Sequence, residues 1–124
     1  MPHFATFSEL AAYLMVFMAR ADGQIHYLEE TTLTDQMRRF SGDPGNLLRG
    51  ATEVCEANPQ ASVEEVLKAN DPLIGRASYD ERMELIRSLY GIINADGRVR
   101  EEEMSTLRAI RTALEHSEGV APIP

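Results

Sequence analysis

Ten consecutive residues, "LAAYLMVFMA" from Leu10 to Ala19, carry no charge and show no polar face, whereas the chain around them repeats apolar positions every three or four residues. A helix that is apolar on all sides must be surrounded by other elements. A membrane-spanning helix needs about 20 such residues, so the run predicts a central core helix and no transmembrane segment. Thr6-Phe7-Ser8-Glu9 in front of it has the spacing of a capping box, which starts the helix near residue 7. Gly23 offers the left-handed conformation that closes a helix, and the same conformation is expected at Gly97.

Further along, Leu33, Met37 and Phe40 share one helical face until Ser41-Gly42-Asp43-Pro44 stops it. Asp43 and Pro44 open a third helix, whose stripe of Leu47, Leu48, Ala51, Val54 and Cys55 runs to Asn58-Pro59. A second capping box, Ser62 to Glu65, starts a short helix with Val63, Val66 and Leu67 inward, interrupted at Asn70-Asp71-Pro72. A third, Ser78 to Glu81, opens a long helix carrying Met83, Ile86, Leu89, Tyr90 and Ile93 and ending at Asp96-Gly97. The last helix spans about 101 to 115, with Met104, Leu107, Ile110 and Leu114 inward. No stretch alternates like a half-buried strand. The fold class predicted is all-α, with about six helices in a compact bundle. A length of 124 residues suits one domain over 1–124, with its core at about 8–115 and tails at 1–5 and 117–124.

Charge narrows the partners. The formal net charge is −8, and the basic residues, Arg throughout except Lys68, are scattered among acids rather than blocked together. Polyanion binding is driven by clustered cations, so nucleic acid is not expected. Cys55 is the sole cysteine, which rules out an intramolecular disulfide, and the N-terminus lacks the pattern of a signal peptide. Both point to the cytoplasm. No phosphate loop, Ser-His-Asp arrangement or acid and base pair of contrasting environment is present, and no enzyme is expected. Cys55 sits on an apolar stripe without a nearby His, as an inert thiol does. Met15, Met18 and Met37 fall on stripes that must be buried and read as core.

One phrase occurs twice. "ADGQIHYLEE" at 21–30 returns as "ADGRVREEE" at 95–103, and a shift of 74 residues superposes Asp22 on Asp96, Gly23 on Gly97, Ile25 on Val99 and Glu29 on Glu103. Each copy follows a long apolar helix. The repeat predicts two helix-turn-helix units related by a pseudo-twofold axis, with helices 7 to 21 and 79 to 95 at the centre and Ile25 near Val99. D-G-x-[I/V]-x-x-x-E is also the back half of an EF-hand loop, but the front-half ligand positions hold Met18, Arg20, Ile92 and Asn94. Three of those four supply no suitable oxygen, which excludes calcium bound in the EF-hand manner. In physical terms Gly turns the chain, Ile25 or Val99 tucks the turn inward, Glu29 or Glu103 caps the next helix, and Asp22 or Asp96 accepts turn amides. His26 with Glu29 and Glu30 shares one helical face, yet its repeat equivalent is Arg100, which binds no metal. Glu101-Glu102-Glu103 occupies a first turn, where negative charge is favoured.

At these residues the chain resembles the TerB-like family, the all-helical domain of tellurite-resistance proteins, over roughly residues 8–115. It departs from the family in placing His26-Tyr27 and Arg100-Glu101 where Ser or Thr followed by Pro is usual. The resemblance implies a stress-response interaction or scaffold module that docks protein partners, membrane-associated stress proteins among them, without catalysis. It also implies an alternative from another class: a divalent cation (calcium, magnesium, manganese or zinc) held by Asp22, Glu29, Asp96 and Glu103. That alternative requires the four carboxylates to converge, where their mutual repulsion would itself favour a cation.

Overall fold

The first helix, α1 (Phe7–Ala19), buries ten of its thirteen residues, so it lies inside the bundle rather than along its surface. The computed structural model describes residues 2–20, 27–94 and 101–116. Around α1 stand α2 (Tyr27–Met37), α3 (Pro44–Ala57), α4 (Val63–Ala69), α5 (Asp71–Arg76), α6 (Tyr79–Ile93) and α7 (Glu101–His116). No strand occurs among the described residues. α1 packs most extensively on α3 and α6 and also touches α2 and α7, while α4 and α5 lie against α7. Leu10, Leu14, Met15, Val16 and Met18 are fully buried, and removing each such side chain from water is worth roughly 1.5–3 kcal/mol. No helix among the described residues is long and apolar enough to cross a membrane.

Local chemistry sets the helix starts. Thr6, Asp43, Ser62 and Ser78 each accept a hydrogen bond from a backbone amide in the first turn that follows. Of the three boxes expected, only Ser78–Glu81 is reciprocal, with the Ser78 amide donating to Glu81 Oε1 at 3.0 Å. At the other two, the Thr6 and Ser62 hydroxyls instead donate to the carboxylates of Glu9 and Glu65, which therefore do not close the box. α1 ends at Ala19, with Arg20 as its C-cap, earlier than the expected stop at Gly23. Gly23, Gly97, Ile25 and Val99 lie outside the described residues.

The structure has one helix more than the sequence pattern suggested. Asn70-Asp71-Pro72 does end α4, but the chain re-enters a helix at once, because Asn70 caps the C-terminus of α4 and leads into α5. Pro72 sits in the first turn of α5, where the missing N–H would have no intrahelical partner anyway. Asn70 is buried and fully used: its Nδ2 donates to the carbonyls of Val66 (2.8 Å) and Pro2 (2.9 Å), and its Oδ1 accepts from the Phe4 amide (3.1 Å). Residues 2–4, expected as a tail, are thereby fastened to the α4–α5 joint, and the Phe4 ring meets Tyr13 at a centroid distance of 5.3 Å.

On α6, Ile86, Leu89 and Ile93 are buried as expected, but Tyr90 is 39% exposed. It lies at the edge of the apolar stripe, where its hydroxyl accepts from Arg111 Nη1 of α7 at 3.5 Å. A Cβ at Gly91 of α6 would overlap the end of the Gln36 side chain on α2, which would have to shift to admit it.

Candidate functional site

Of the four carboxylates expected to hold a cation, only the Glu103 side chain is among the described residues. Asp22 and Asp96 lie outside the described residues, as does the side chain of Glu29. Glu103 is described, half-buried in the first turn of α7 beside the exposed Glu101 and Glu102. Among the described residues no three His, Cys, Asp or Glu side chains gather into a group able to hold a metal.

What the described residues do build is an open cleft of about 590 Å³ between the C-terminal ends of α1 and α3 and the N-terminal turns of α7. Tyr13 and Phe17, one turn apart on α1, supply an aromatic wall, their rings tilted at a centroid distance of 6.1 Å. Pro59 and Ala61 continue the apolar surface. This part of the wall exists because α3 must stop: Pro59 has no N–H to donate, and Asn58 Nδ2 ties back to the Val54 carbonyl at 2.9 Å. The Ala61 amide then donates to the Asn58 carbonyl at 3.2 Å, which fixes the turn.

Among the described residues the cleft's charge comes from Arg20 at the end of α1, Glu56 on α3 and Glu102 on α7. Thr106, one turn after Glu102, is also in the wall, and its hydroxyl is committed to the Glu102 carbonyl at 2.9 Å. A neighbouring recess of about 380 Å³ shares Asn58, Pro59 and Ala61 with the cleft and adds Glu65. The joined surface therefore carries Glu56, Glu65 and Glu102 against Arg20.

Cys55 also faces this space, half-buried rather than fully inside the core. Burial pushes its thiol up from 9.0 to about 11; Arg20 pulls the other way, and Glu56 adds to the rise. A thiol held protonated in this way is a weaker nucleophile than a free one. Burial likewise raises the Tyr13 phenol from 10.0 to about 12, with a smaller contribution from Cys55. The chemistry of the described cleft residues is thus that of contact: an apolar aromatic wall with carboxylates and the Arg20 guanidinium at its edges.

Nothing in the helical spacing announced it. Phe17 and Cys55 fall on stripes that read as core, and Asn58-Pro59 reads as a helix stop. The usable signal was that the stop exposes the end of the α3 stripe instead of covering it.

The family model described as tellurite resistance protein TerB matches residues 8–120. With nearly the whole chain covered, and an all-helical fold, the protein belongs to the TerB family. Neither the curated proteins nor the solved structures yield a match to it.

Proposed function

We propose that this chain is a non-catalytic interaction module of the TerB family, acting in resistance to chemical stress such as tellurite. Its partners are proteins, membrane-associated stress proteins among them, which it meets in the cytoplasm through the cleft between α1, α3 and α7. The observation that carries this reading is the cleft itself. Phe17, Pro59 and Ala61, with Tyr13 buried behind the Phe17 ring, leave an apolar surface open at the side of the bundle, bordered among the described residues by Arg20, Glu56 and Glu102. An apolar centre with a polar rim is the anatomy of a protein contact.

The alternative, a divalent-cation protein using Asp22, Glu29, Asp96 and Glu103, has one observation in its favour. Arg20, which directly precedes the first copy of the duplicated phrase, and Glu102, which belongs to the second, line the same cleft. Oxygen ligands of this kind suit calcium, magnesium or manganese better than zinc.

The reading is tested in tellurite-treated cells whose tolerance depends on the chain. Ala61→Arg places a long side chain into the cleft from a position that is already partly exposed. Loss of tolerance with an unchanged melting temperature is the expected result. Full tolerance from the folded variant would remove the cleft from the function.

A further inference from the structure

The groove of about 430 Å³ between α4, α5 and α7 has balanced borders among its described residues, Glu64 and Asp71 against Lys68 and Arg108, and so expresses no preference for a partner's charge. The rings of Tyr79 and Tyr90 on α6 are exposed, and nothing shows what would cover them. The cleft beside α1 differs from both. Among the described residues it sets, together with its adjoining recess, three carboxylates, Glu56, Glu65 and Glu102, against one guanidinium, Arg20, around the half-buried Phe17 ring.

We propose that this cleft receives a basic segment of a partner protein, seating an arginine side chain against Phe17 between Glu56 of α3 and Glu102 of α7. The proposal rests on the interaction-module reading and names the chemistry of the partner at that same site.

Phe17 is half-buried, so part of its ring remains available, whereas Tyr13 behind it is closed off. A guanidinium suits such a place because it is planar, weakly hydrated, stacks on an aromatic face and can bridge two carboxylates with its fork of donors. A lysine ammonium is a point charge that holds its water and gains less from the ring. Glu56 and Glu102 are exposed and come from different helices, so an arginine between them would join α3 to α7 across the opening. Glu65, in the recess beyond Pro59 and Ala61, offers a place for a second basic residue further along the segment. Arg20 stands at the α1 side and repels a cation there, which gives the segment a direction. The net charge of −8 adds long-range attraction for a basic partner and none for an acidic one.

The test uses the full chain, isotope-labelled for NMR, and a synthetic heptapeptide, Gly-Ser-Leu-Arg-Leu-Ser-Gly, at low ionic strength. Matched peptides carry Lys, citrulline or Glu in place of the Arg. Saturable shifts are expected at Phe17, Cys55, Ala61 and Thr106, with affinity falling in the order Arg, Lys, citrulline, Glu and weakening as salt is added. Glu56→Gln with Glu102→Gln should weaken the Arg peptide by about tenfold or more with an unchanged melting temperature, and Arg20→Gln should tighten it. Equal binding of the Arg and Glu peptides, shifts confined to another face, or indifference to the Gln pair would each overturn the proposal. So would a concentration-dependent dimer disrupted by Ala61→Arg, which would make a second copy the occupant. If Ala61→Arg abolishes tellurite tolerance while no basic peptide binds, the interaction reading survives and the arginine inference fails. If Ala61→Arg protects fully, the interaction reading of this cleft fails whatever the peptides do.

Discussion

The buried guanidinium of Arg82 on α6 donates from Nη1 to the Leu114 carbonyl of α7 at 3.2 Å. Leu114 is in the last turn of its helix, where carbonyls have no intrahelical donor, so a side chain from the neighbouring helix satisfies one of them. The Tyr79 ring lies under the same guanidinium, 5.9 Å from its carbon to the ring centroid. α6 and α7 are joined in this way at the end of the bundle opposite the start of α7.

Replacing Arg82 by Leu should therefore leave the Leu114 carbonyl buried without its donor. The expected loss is about 1–3 kcal/mol in urea unfolding, with the m-value unchanged. An unaltered midpoint would show that the pairing contributes nothing.

The Asn70 side chain makes three hydrogen bonds, two of which hold residues 2–4 against the α4–α5 joint while the third closes the end of α4. Asn70→Ala should cost about 2–4 kcal/mol, and amide exchange at Phe4 should accelerate well before global unfolding. Asn70→Asp keeps the acceptor for the Phe4 amide but loses both donors, so its effect on exchange at Phe4 should be smaller than that of the alanine variant.

The raised thiol and phenol make a signed pH prediction. In the unfolded chain Cys55 ionises near 9.0, whereas in the fold it holds its proton until about 11. Between those values the unfolded state has fewer bound protons and is favoured, so stability should fall as pH rises from 9 to 11. Tyr13 extends the loss from 10.0 toward about 12. Cys55→Ala should remove the first part of that decline, and native Cys55 should alkylate more slowly at pH 9 than the unfolded chain does. A pH-independent midpoint across this window would contradict the buried placement of both groups.

Helix starts were legible in the sequence because capping is local: Thr6, Asp43, Ser62 and Ser78 each accept an amide within their own first turn. The central helix was legible because a run with no polar face can only be enclosed. α5 was missed because Pro72 reads as a breaker unless one knows that it falls in a first turn. Arg82 and Ser88 lie on the buried stripe of α6, in step with Leu85, Ile86 and Ile92, but were missed because their polar side chains do not register as apolar positions. The cleft was invisible for a related reason. Phe17, Ala61 and Glu102 come from segments far apart in the chain, and spacing within any one helix says nothing of a gap between three. Asp22 and Asp96, the most conspicuous residues of the duplicated phrase, lie outside the described residues.

Divalent ions separate the two functional readings. If Glu29 and Glu103 serve as caps, Gln at both positions should shift stability by only a few tenths of a kcal/mol, with no dependence on added metal. A ligand that binds only the folded state raises the melting temperature by mass action. A saturable rise with calcium, magnesium, manganese or zinc, lost in the double Gln variant, would establish the cation site instead.

The most direct measurement of the central claim is site-specific photocrosslinking in stressed cells. A benzophenone amino acid is placed at Thr106, in the cleft wall, and in a control at Arg87, exposed on α6 and outside the cleft. The account predicts a discrete protein adduct from position 106 that disappears with Ala61→Arg, and none from position 87. Identical adducts from both positions, or none from the cleft while the chain still confers tolerance, would contradict it.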